Sequence, residues 1–143
     1  MTTKIVIITH PDCDDSHPVR LTNNERSAFL KILKSLEKFV KDKKVAVLAS
    51  AAPEITFYAN SVARHFGSDE PEICECLLRN GRDELDVNDG CDCICDFISP
   101  EFDLVIAIAE NGFAGMLANS LSSQVKRPCN KIHKLGMSDV YVI

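Results

Sequence analysis

The sequence predicts an α/β fold, a three-layer α/β/α sandwich with a mainly parallel central sheet, occupying residues 1–143 as one domain. Three observations predict it. Short β-branched apolar runs recur at Lys4–Thr9, Lys44–Ser50 and Asp103–Ala109. Stretches with apolar residues at helical spacing separate them. The chain, at 143 residues with 45% hydrophobic and 26% charged residues, is long enough to bury a real core.

The first run, Lys4-Ile-Val-Ile-Ile-Thr9, has four consecutive branched residues. Such a run suits a strand buried on both faces, as in a parallel sheet covered by helices. It stops at His10-Pro11. Ligands of open α/β sheets bind beyond the carboxyl ends of the strands, so His10 heads the list of candidate functional residues.

A polar loop, Asp12-Cys-Asp-Asp-Ser-His-Pro18, follows. Thr22 and Glu25 have the spacing of a helix capping box. Phe29, Leu30, Ile32, Leu33, Leu36, Phe39 and Val40 then mark an amphipathic helix, with Lys31, Lys34, Lys38 and Lys41 on its solvated side. After the second strand, Pro53 suits the first turn of a helix and Gly67 its C′ position. Ile55, Tyr58, Ala59, Val62, Ala63 and Phe66 form that helix's inner face.

Glu72–Leu78 alternates as a third strand would, and Asn80-Gly81 and Asp89-Gly90 are turn signals. Residues 90–98 fit either a strand with Cys91, Cys93 and Cys95 on one face or a short helix with Cys91, Ile94, Cys95 and Ile98 on one face, and the helix is preferred because a strong strand follows the Ser99-Pro100 break. The strand at Asp103–Ala109 ends in a Glu110-Asn-Gly112 turn, and a helix runs from Phe113 to Ser122. Asp139–Ile143 is expected as an edge strand. The central strands are expected to be the first, second and fourth, with Thr9-His10, Ser50-Ala51 and Glu110-Asn111 lining one site.

Net charge is −5, which argues against nucleic acid or an anionic membrane as partner. No apolar run approaches the roughly 20 residues that span a bilayer. The opening residues lack the pattern of a secretion signal, so a cytoplasmic location is expected. Seven cysteines, an odd number, are expected to be reduced thiols. Cys74-Glu-Cys76 and Cys91-Asp-Cys93-Ile-Cys95 lack the C-x₂₋₄-C spacing of zinc knuckles, and core packing is their expected role.

No glycine-rich loop follows the first strand, which excludes a dinucleotide fingerprint and a Walker A loop. Cys13 and Arg20 are one residue too far apart for a cysteine phosphatase, and the loop between them is acidic. His65 falls in the last turn of a helix, where a cation suits the dipole. His133 sits among Lys126, Arg127, Lys131 and Lys134, a basic tail expected to be a solvated face, with an acidic partner as the alternative.

The order of elements resembles the histidine phosphatase superfamily, also called phosphoglycerate mutase-like, over nearly the whole chain. Thr9-His10-Pro11 stands where that family has Arg-His-Gly, and Leu21-Thr22 matches its Leu-Thr helix opening. Ser50 and Ala59 match, but Glu54 stands at the family's arginine and Tyr58 at its threonine. Asn111-Gly112 stands where the family has His-Gly. The brevity and the Val140-Tyr-Val-Ile143 finish look most like the short phosphohistidine-phosphatase branch.

The resemblance implies that His10 holds the place of the phosphoryl-accepting nucleophile. It also implies that the two arginines and the second histidine around the phosphate are missing here. Two unit charges about 4 Å apart interact by about 4 kcal/mol at an effective dielectric of about 20. Replacing an arginine with Glu54 inverts a term of that size. Asp12, Asp14, Asp15 and Glu110 add further negative charge. The expected function is that of a degenerate histidine phosphatase-like protein in a binding or regulatory role, with no cofactor. The alternative is an enzyme with altered chemistry around His10, with Asp12, Asp14 and His17 as candidate ligands of a divalent cation such as Mn²⁺ or Zn²⁺.

Overall fold

A computed structural model describes residues 3–9, 23–50, 53–74, 84–98, 101–109, 113–135 and 138–143, with side chains at these positions except 23–26, 28, 53–55, 84–86, 131–135 and 138–139. The elements are β1 (Lys4–Thr9), α1 (Asn23–Val40), β2 (Val45–Ala49), α2 (Pro53–Phe66) and β3 (Glu72–Ile73). They continue with α3 (Glu84–Cys95), β4 (Leu104–Ala109), α4 (Phe113–Val125), β5 (Asn130–Leu135) and β6 (Ser138–Val142). The strands form one sheet in the order β3-β2-β4-β1-β6-β5. β3, β2, β4 and β1 run parallel, and β6 is antiparallel to both of its neighbours.

The strand period of two sends alternate residues to opposite faces. Ile5 and Ile7 enter the core beneath α3 and α4, while Val6 and Ile8 enter the core beneath α1 and α2. β4 lies between β1 and β2, and all six of its residues are buried. The three-layer architecture and the central placement of the first, second and fourth strands are therefore as the sequence predicts.

Two expectations need correction. Asp89-Gly90 is not a turn but lies within α3. Val87, Cys91 and Ile94, at helical spacing, are buried in the core shared with α4, and that packing overrides the local turn preference. The last strand is not an edge. β6 is flanked by β1 and by β5, a strand the basic tail had hidden. Leu135 pairs with Ser138, so only two residues separate the strands of this hairpin. A lysine-bearing strand with few apolar residues fits an edge, where charge discourages unwanted pairing.

α2 ends as Gly67 predicts. Its φ is +66°, the Gly67 N–H donates to the Arg64 carbonyl at 3.3 Å, and the Ser68 N–H donates to the Ala63 carbonyl at 2.9 Å. This is a Schellman cap. At Gly115 of α4 a Cβ would stand 3.3 Å from the Tyr141 hydroxyl, so the absence of a side chain lets helix and sheet approach closely.

Cysteine serves as core on the other face. Cys91 is fully buried, with its Sγ 3.8 Å from the Leu117 carbonyl. Burial pushes the Cys91 thiol above its ordinary value, outweighing a hydrogen bond with Ser120, and burial likewise raises Cys95 and Cys129. A raised thiol stays protonated at neutral pH.

Gly67→Ala should destabilise the protein by about 1–2 kcal/mol, the cost of a left-handed residue with a side chain, read as a lower urea midpoint. Nothing lies within 4 Å of the added methyl, so the loss measures backbone strain alone. The raised thiols also set an alkaline limit. Above the ordinary thiol value of 9.0 the unfolded chain releases protons that the folded chain keeps, so stability should fall as pH rises further. Cys91→Ala should flatten that decline in pH-dependent denaturation curves.

Candidate functional site

β2, β4 and β1 are adjacent and parallel, so their carboxyl ends open on the same side. Thr9 is in register with Ala109, and Ala49 with Ile108. The two polar candidates described there, Thr9 and Ser50, are both buried, at 1% and 0% exposure. Both have interaction partners of their own.

The helices entering this end are set by the same strands. α2 begins at Pro53, just after β2, and α4 at Phe113, just after β4. The Thr56 hydroxyl donates to the Ser50 carbonyl at 3.1 Å, tying the first turn of α2 to the end of β2. Two helix N-termini therefore flank the strand ends. Each carries roughly half a positive charge from the aligned peptide dipoles, which favours an anion.

Glu54 is the second residue of α2. A carboxylate in a first helical turn stabilises the helix, by roughly 0.3–1 kcal/mol. That local role is available to Glu54 whatever else the site does. Tyr58 fills core space instead: it is fully buried, with its ring 5.3 Å from Phe29 of α1 in an edge-to-face contact.

β6 brings a residue that the sequence reading missed. Ile8 pairs with Val140 in antiparallel register, so Asp139 and Ser138 lie at the same end of the sheet as Thr9. No local signal could have found it, because its place at this end follows from the antiparallel pairing of β6 with β1.

His10, Asp12, Asp14, Asp15, His17, Glu110 and Asn111 lie outside the described residues, as do Cys13 and the side chain of Glu54. The sheet brings together the positions these residues adjoin, namely the ends of β1, β2 and β4. Among the described residues no three His, Cys, Asp or Glu side chains are arranged to hold a metal ion. Cys91, Cys93 and Cys95 lie on α3, and all three pack with the core beside α4. Cys74 is buried at the end of β3 and Cys76 is outside the described residues.

His65 is remote from the strand ends. Its Nε2 lies 3.2 Å from Glu37 Oε1, joining the last turns of α1 and α2 at the opposite end of the sheet. There an open groove of about 400 Å³ is lined by Glu37, Lys41, Asp42, Lys43 and His65, with Val40 and Phe66 beneath. His133 belongs to β5. No helix among the described residues is long and apolar enough to cross a membrane.

No family model matches the sequence, and no curated protein matches it. Solved structures do. A phosphoglycerate mutase of Plasmodium falciparum aligns with a TM-score of 0.58 at 17% identity, covering 89% of this chain and 77% of that one. The protein assigned as the phosphohistidine phosphatase SixA of Agrobacterium tumefaciens aligns at 0.59 and 14% identity, over 86% and 77%. A protein histidine phosphatase SixA in complex with tungstate aligns at 0.51 and 19%, over 80% and 74%. The chain therefore has the phosphoglycerate mutase-like fold, and the solved structures that share it include phosphohistidine phosphatases.

Proposed function

We propose that this chain is a degenerate member of its fold, which does not run the phosphatase reaction and acts by binding or regulation. One observation carries the reading. The strand ends that would surround a phosphoryl group are followed or flanked by Thr9, Glu54 and Asn111, where the histidine phosphatases are expected to have two arginines and a histidine. Phosphoryl transfer depends on positioning and on stabilising negative charge. Arginine does this with a bidentate, permanently charged fork. Thr9 and Asn111 supply no charge, and Glu54 supplies the wrong sign.

The helix N-termini of α2 and α4 still favour an anion, but only as partial charges. The sequence adds acidic residues next to these strand ends, Asp12, Asp14, Asp15, Glu54 and Glu110, whose full charges disfavour an anion. His10 keeps the nucleophile's place without the surroundings that would deliver a phosphoryl group to it.

The full chain should show no turnover of p-nitrophenyl phosphate or of a phosphohistidine peptide above that of His10→Ala. Robust hydrolysis that disappears in His10→Ala overturns the proposal. Tungstate, the ligand of one similar protein, supplies a binding readout. Restoring Thr9→Arg, Glu54→Arg and Asn111→His together should create tungstate affinity absent from the native chain. Because Thr9 is buried, the pair Glu54→Arg with Asn111→His serves as a milder version of the same test.

A second reading, an altered and cation-dependent site, gains support from Asp139. Its register adds one more acidic residue at the end of the sheet where Asp12, Asp14 and His17 follow β1. Carboxylate and imidazole donors suit Mn²⁺ or Zn²⁺. On this reading millimolar Mn²⁺ or Zn²⁺ raises the Tm of the native chain and not of Asp12→Asn/Asp14→Asn. No shift with either cation removes it.

A further inference from the structure

The outer faces of two helices carry opposite charge in matching patterns. On α1, Lys31, Lys34, Lys38 and the adjoining Lys41 are all exposed, at steps of three, four and three residues. The Lys41 N–H still donates to the Glu37 carbonyl at 3.1 Å, so the helical turn includes it. Residues at such steps form one stripe along a helix. Among the described residues none of the four lysines makes a salt bridge. Lys38 does rest on the Phe39 ring, 5.0 Å from its centroid.

On α3, Asp89, Asp92 and Asp96 are exposed at steps of three and four. The Asp96 N–H donates to the Asp92 carbonyl at 3.0 Å, which continues the turn past Cys95. No salt bridge among the described residues engages these aspartates either. At a rise of about 1.5 Å per residue the lysines span about 15 Å and the aspartates about 10 Å. The lysine stripe contains both a three-then-four and a four-then-three run, so the three aspartates can face three lysines whichever way the helices run.

The two stripes cannot meet within one chain. α1 packs on the face of the sheet that receives Val6 and Ile8, and α3 on the face that receives Ile5 and Ile7. The geometry points to a second copy of this chain as the occupant: the lysine stripe of α1 docks on the aspartate stripe of α3 in a neighbouring molecule. Because the stripes lie on opposite faces, one neighbour cannot return the contact through its other stripe. The association is head-to-tail and grows with concentration.

Stable interfaces have apolar cores, and charge is depleted there. A contact made by two charged stripes is consequently weak and strongly salt-sensitive. The screening length is about 10 Å at 0.1 M salt and about 3 Å at 1 M. Nucleic acid fits the lysine stripe less well, since the chain's net charge is −5 and the stripe contains no arginine for bidentate phosphate contacts. A different acidic protein would satisfy the lysines, but it would leave the aspartates unexplained.

Light scattering or sedimentation of the full chain tests the contact. At low salt the weight-average mass should rise with protein concentration, and high salt should return it to the monomer value. Lys34→Glu/Lys38→Glu and Asp92→Lys/Asp96→Lys should each weaken self-association at least tenfold, with circular dichroism verifying that both remain folded. Mixing the two variants should restore association, because each then meets the opposite charge on the other. A chain carrying all four exchanges should self-associate like the native one. A native chain that stays monomeric at low salt, or exchanged variants that fail to restore association on mixing, overturns the proposal.

Discussion

The parallel pairing of β1 with β4 is the constraint on which the rest of the structure depends. Six consecutive pairs, from Lys4 with Leu104 to Thr9 with Ala109, lock the two strands in register. Apart from Lys4, every residue in the two strands is buried. Alternate residues feed the cores on opposite faces of the sheet, so a slip of one residue would send each side chain to the wrong layer. β2 and β6 then attach to this pair, and the helices cover whatever the strands leave apolar. A sheet buried on both faces tolerates few polar positions. Thr9 and Ser50 are accordingly found at strand ends, where a site can use them.

That same register produces an electrostatic conflict. Parallel strands joined by helices place helix N-termini and strand carboxyl ends on one side, and the peptide dipoles there favour an anion. The fold is thus predisposed to bind phosphate before any side chain is chosen. The sequence of this chain puts acidic residues at these positions, with Glu54 second in α2 and Glu110 next after β4. Full charges outweigh partial ones at similar distance. The proposed loss of phosphatase activity rests on that opposition between the frame and the residue identities.

Charge is divided on the outside of the molecule as well. The exposed face of α1 is lysine-rich and that of α3 aspartate-rich, and the sheet keeps them on opposite faces. Beneath the aspartates, Cys91 and Ile94 pack against α4. The density of cysteine on α3 answers to packing: a thiol raised by burial behaves as a small apolar side chain.

The sequence by itself determined the parts governed by local periodicity. The buried strands announced themselves by β-branched runs, because such runs are compatible with little else. The end of α2 was legible in Gly67, because few other residues adopt a left-handed backbone cheaply. The identities of Thr9, Glu54 and Asn111, on which the proposed function rests, were legible too, since they need no structure. Tertiary structure decided what identity and period leave open. Asp89-Gly90 became helix because Val87, Cys91 and Ile94 had a core to enter. Asn130–Leu135 became a strand because β6 offered it a partner, although its own composition is that of a solvated tail. Asp139 reached the end of the sheet beside Thr9 only through antiparallel pairing with β1, a contact between residues far apart in the chain that no local pattern encodes.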